Sequence, residues 1–100
     1  MEKAVSFRVK EGQSEPWRQW CEELSTSLRA AAVETLVEEK VRQELTLRFE
    51  IAGQAYVIGF MEGECLPANL ERAINRRHLA MREQCLERMG EVTVLANIRS

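Results

Sequence analysis

The feature that most constrains this fold is a change of period along the chain. From Lys3 to Lys10 apolar and polar residues alternate, with Val5, Phe7 and Val9 on one side and Ala4, Ser6, Arg8 and Lys10 on the other. A period of two marks a half-buried strand, because successive side chains leave opposite faces of the pleat. Gly12 breaks the pattern, and Ser14, Glu15 and Pro16 signal a helix starting near Glu15. Trp17, Trp20, Cys21, Leu24 and Leu28 then recur at helical spacing and form one apolar stripe. The hydroxyls of Ser25, Thr26 and Ser27 compete for backbone groups, so a kink or short break is predicted there before helix resumes over 30–39.

Alternation returns from Arg42 to Ile51, with Leu45, Leu47, Phe49 and Ile51 opposed to Glu44, Thr46, Arg48 and Glu50. Ala52-Gly53-Gln54 is a short turn, and the nearly continuous apolar run from Ala55 to Met61 completes a hairpin. A second helix is expected from Pro67 or Asn69, with Leu70, Ile74, His78, Met81, Cys85 and Met89 as its inward stripe and Gly90 as its stop. Val92 to Ile98 is the expected fourth strand. The order βαββαβ predicts one α+β domain over residues 1–100. Its form is ferredoxin-like: a four-stranded antiparallel sheet in the order 4-1-3-2 with both helices on one face.

Such a sheet leaves its second face open, and the residues there decide what covers it. If Leu45, Leu47 and Phe49 point to the helices, Thr46 and Arg48 point outward beside one side of the Ala55–Met61 strand. The open face then has an apolar centre and a polar edge, which suits a face-to-face homodimer.

The net charge of −2 gives no attraction to nucleic acid or anionic lipid, and no apolar run approaches the roughly 20 residues of a membrane span. Neither partner is expected, and with no signal-peptide pattern at the start a cytoplasmic location is expected. Cys21, Cys65 and Cys85 are odd in number and widely spaced, so free thiols are expected; with one histidine and no Cys/His cluster at ligand spacing no metal site is expected, and no cofactor is expected either.

The pattern resembles the dimeric α/β-barrel superfamily, in which two ferredoxin-like protomers stack their sheets. Val5-Ser6-Phe7-Arg8-Val9-Lys10-Glu11-Gly12, residues 30–41 and Tyr56-Val57-Ile58-Gly59-Phe60-Met61-Glu62-Gly63-Glu64-Cys65 look like a family of small bacterial proteins of unknown function. The resemblance implies the fold and the dimer. Superfamily members include cofactor-independent monooxygenases and sugar mutarotases with polar groups between sheet and helices, but no catalytic motif carries over.

His78 interrupts an apolar stripe, so its imidazole should point at the sheet as an acid, base or orienting donor, or else as a satisfied core group. Tyr56 shares a strand face with Ile58 and Phe60, and flanks a pocket with His78 only if both point between sheet and helices. Trp17 and Trp20 either wall that pocket or fill the core. Glu62 and Glu64 at a strand end read mainly as a solvated loop. Arg72, Arg76, Arg77, Arg82 and Arg88, interleaved with Glu71, Glu83 and Glu87, read as a salt-bridged solvent face.

These residues favour a homodimeric small-molecule-binding protein, with a cofactor-independent enzyme as its sharper form. The alternative is a structural or regulatory dimerisation module. RNA binding is disfavoured because the third strand lacks the basic-Gly-aromatic opening of RNA-recognition domains and the chain is acidic.

Overall fold

In the computed structural model, which describes all 100 residues, the elements run β1 (Glu2–Val9), α1 (Ser14–Ser25), α2 (Arg29–Glu38), β2 (Val41–Ile51), β3 (Gln54–Gly63), α3 (Ala73–Cys85) and β4 (Leu86–Val92). The strands form one antiparallel sheet in the order β2-β3-β1-β4. This α+β arrangement, with three helices and an open sheet, is consistent with a ferredoxin-like fold, and no helix is long and apolar enough to cross a membrane.

The expected break between α1 and α2 is present, and its cause is local. Ser25 Oγ donates to the Cys21 carbonyl at 2.9 Å and Thr26 Oγ1 donates to the Glu22 carbonyl at 2.7 Å. Hydroxyls bonded back one turn weaken a helix at that point. The hairpin closes through two residues of positive φ, Ala52 at 51° and Gly53 at 80°, as a tight turn matched to the twist of its strands requires. At the far end of β3 Gly63 has no substitute: a Cβ there would stand 2.2 Å from the Lys40 carbonyl oxygen.

Three expectations are corrected. Helix α3 begins at Ala73, because Asn69 caps a preceding turn instead, its Oδ1 accepting from the Glu71 N–H at 3.0 Å. It ends at Cys85 and not at Gly90, since Leu86, Glu87 and Arg88 pair with Val9, Arg8 and Phe7 of β1. Met89 is the extra residue of a bulge in that ladder, opposite the step from Ser6 to Phe7. The fourth strand is therefore Leu86–Val92, and residues 93–98 carry no regular structure.

The core lies between the sheet and α1 and α3. Phe7, Val9, Ala55 and Val57 from the strands meet Trp17, Trp20, Cys85 and Leu86, with Ile74 and Met81 packed alongside. Register then settles the sidedness of β2. Val57 pairs with Arg48, Gly59 with Thr46 and Met61 with Glu44, and directly opposed residues share a face. Glu44, Thr46, Arg48 and Glu50 therefore lie on the helix side. Leu45, Leu47, Phe49 and Ile51 lie on the open side with Tyr56, Ile58 and Phe60, reversing the orientation considered for them from sequence.

Candidate functional site

The helix side gathers three of the four residues proposed from sequence. Trp17 and Trp20 project from α1 and are buried, and His78 projects from α3 between them, its ring centroid 6.1 Å from Trp17 and 6.0 Å from Trp20. The Trp20 indole N–H donates to His78 Nδ1 at 2.9 Å. Indole only donates, so Nδ1 is unprotonated and the imidazole proton sits on Nε2. Burial, reinforced by the positive Arg82, pushes the imidazole down to about 4. At neutral pH His78 is thus an uncharged donor at Nε2, and in this tautomer it cannot accept a proton there.

Tyr56 is elsewhere. It lies on the open face, stacked on Phe49 with centroids 5.2 Å apart, while its neighbour Val57 points into the core. Tyr56 and His78 are on opposite faces of the sheet and do not flank a common pocket.

Other charges also depart from expectation. Glu62 does not belong to a solvated loop: it is only 6% exposed. It accepts from Arg99, from Asn97 Nδ2 at 3.0 Å and from Arg42 at 3.1 Å. Those donors hold its carboxyl down to about 2. Glu64 is exposed, 3.9 Å from Lys40. The arginines of the second helical segment partly fulfil the salt-bridge expectation, but with other helices: Arg72 reaches Glu34 and Glu38, and Arg77 reaches Glu23 while lying over the Trp20 ring.

Arg82 is the exception. It is half-buried, one turn beyond His78 on the same face of α3, with its guanidinium carbon 5.1 Å from the centre of the Phe7 ring. It makes no hydrogen bond and no ion pair, whereas the other half-buried arginines, Arg8 and Arg72, are both paired with carboxylates. Glu44 stands on the opposing helix-side face of β2, also unpaired. Desolvation raises its carboxyl against the pull of Arg82, although the residue as a whole is exposed. Between β2 and the Phe7 ring lies Gly59, where an added Cβ would meet only that ring, at 4.0 Å, so the sheet is open there. Cys21 borders the same space, and burial, aided by Glu44, pushes its thiol up to about 11, so it is no nucleophile.

Sequence singled out His78 because it is polar within an apolar stripe. It overlooked Arg82 and Glu44, which look like ordinary surface charges. The available signal was the four-residue step from His78 to Arg82, which puts both on one helix face.

No curated protein and no solved structure matches the chain. A family model described as a family of unknown function matches residues 3–98, nearly the whole chain. By that match the chain belongs to the DUF6176 family, small domains whose function has not been assigned.

Proposed function

We propose that the chain acts as a homodimeric small-molecule-binding protein, with its two protomers stacked through their open sheet faces and its ligand taken on the helix side beside His78. The observation that carries the dimer is the continuous apolar surface of β2 and β3. Leu45, Leu47, Phe49 and Ile51 are 40–61% exposed, beside half-buried Tyr56, Ile58 and Phe60. Strands spaced about 4.8 Å apart and about 25–30 Å long give the four-stranded face a projected area of about 500 Å². Side-chain relief brings it toward the roughly 800 Å² per partner of a standard stable interface.

Its rim carries both signs of charge, with Arg8 against Glu87 at one place and Arg42 and Arg99 around Glu62 at another. Self-complementary twofold pairing needs such a mixture. Phe49 and Tyr56 are stacked on each other, which takes one face of each ring away from base stacking.

The test is sedimentation equilibrium at micromolar concentration on the wild-type chain and on Leu47→Arg. A wild-type dimer that Leu47→Arg converts to a folded monomer supports the stacked sheets. A wild-type monomer overturns them, and the open face would then be screened against RNA and protein partners.

A further inference from the structure

We propose that the cleft between α3 and the helix-side face of β2 is a binding site for a small organic carboxylate, gripped by Arg82 and the Nε2–H of His78. This deepens the ligand-binding half of the function proposed above and does not depend on the dimer.

Two side chains of α3, and one of α1 beside them, offer donors without a protein acceptor. Arg82 presents its whole guanidinium fork without a partner, laid against the Phe7 ring. His78 has spent Nδ1 on Trp20 and keeps a proton at Nε2 with no acceptor. The indole N–H of Trp17, in a residue only 6% exposed and with its ring 6.1 Å from the imidazole, is buried without any acceptor. Of these donors only the Trp17 N–H is shut off from water, and an unpaired polar group so buried is uncommon in a folded chain. Arg82 and His78 Nε2 are open to solvent, and as neighbouring donors without a protein acceptor they suit a ligand rich in oxygen lone pairs.

The opposite wall narrows the choice. Glu44 lies on the helix side of β2, near enough to Arg82 for the guanidinium to oppose the desolvation of its carboxyl. A doubly charged phosphate would meet this carboxylate and be repelled, whereas a carboxylate brings one charge for one guanidinium. The planar carboxylate also matches the guanidinium fork in bidentate geometry. The floor is open at Gly59 in central β3, where an added Cβ would meet only the edge of the Phe7 ring, at 4.0 Å. The apolar body of the ligand would lie against that ring.

Both tryptophans of the chain flank His78, so intrinsic fluorescence reports on this site. The experiment titrates the full chain at pH 7 with sodium benzoate, with benzamide as its uncharged counterpart and with inorganic phosphate, while sedimentation of the same samples records the assembly state. Expected is a saturable fluorescence change with benzoate, at least tenfold weaker with benzamide and phosphate, and at least tenfold weaker for benzoate in Arg82→Gln. Arg18→Gln, an exposed arginine on the polar face of α1 paired with Glu15 and Glu22, should bind as wild type, and circular dichroism confirms that both variants fold. No saturable response to benzoate, equal responses to all three probes, or wild-type binding by a folded Arg82→Gln overturns the site. A monomer that binds benzoate in this pattern overturns only the stacked dimer, and a dimer that does not bind it overturns only the site.

Discussion

The two faces of strand β2 obey opposite rules from those of β1. In β1 the apolar residues Phe7 and Val9 point to the helices, as a half-buried strand dictates, and Arg8 points away. In β2 the charged residues point to the helix side and the apolar ones point to the open side. A one-residue slip would reverse every side chain of β2, yet the ladder from Gln43 to Ile51 holds its register against β3 without a break. The difference teaches that the sheet carries two apolar surfaces. The helices cover one over β1 and β3, and the other, on β2 and β3, is open.

The sharpest way to break this comparison is to put the same charge on adjacent residues of β3. Val57 is 1% exposed among Phe7, Trp20 and Cys85, so Val57→Asp should cost about 4 kcal/mol or more and leave the chain unfolded by circular dichroism. Ile58 faces the other way, and Ile58→Asp should keep the folded spectrum while weakening self-association about a hundredfold, roughly 3 kcal/mol. If both variants unfold alike, the open face belongs to the protomer's own core. If Ile58→Asp stays dimeric, the sheets do not stack.

A smaller effect sharpens the helix side. His78 titrates near 4 in the folded chain against an ordinary value of 6.5, so below pH 6.5 the unfolded chain binds the extra proton first. Its contribution is absent above about 6.5, and stability falls as the pH drops from there to about 4, by at most about 3 kcal/mol. Urea midpoints measured across that range should decline, and His78→Gln should flatten the decline. In Arg82→Gln, loss of the neighbouring cation should raise the imidazole pKa, readable by proton NMR. The smallest effect lies at the hairpin turn, where Ala52 holds φ at 51°. Asparagine tolerates that conformation better, so Ala52→Asn should add about 0.5–1 kcal/mol and raise Tm without touching either face.

The elements themselves were legible wherever one period ran uninterrupted: β1, β2 and α1 follow from spacing alone. Sidedness was not, because alternation is symmetric and Leu45, Leu47 and Phe49 look the same whichever way they point. The end of α3 was hidden for a related reason. Met81, Cys85 and Met89 continue a four-residue spacing, and only pairing with β1, distant in sequence, converts residues 86–92 to strand. His78 stood out at the candidate site by contrast with its stripe. Arg82 and Glu44 did not, since what distinguishes them is the absence of a partner, and a sequence shows charges without showing which are matched. Tyr56 went astray by the same alternation that hid the sidedness of β2.

Strand β2 is also an edge, with one side of its backbone ladder unpaired, and its outward face carries four large apolar side chains without an intervening charge. Of the devices that blunt such an edge, neither proline nor a bulge interrupts residues 43–51, and the charges of the strand, Glu44, Arg48 and Glu50, are confined to its helix side. A newly made protomer is therefore exposed to strand-by-strand coalescence with any other unfinished β chain. The charges on that one side are then what stands between the folded chain and pairing with a second β edge.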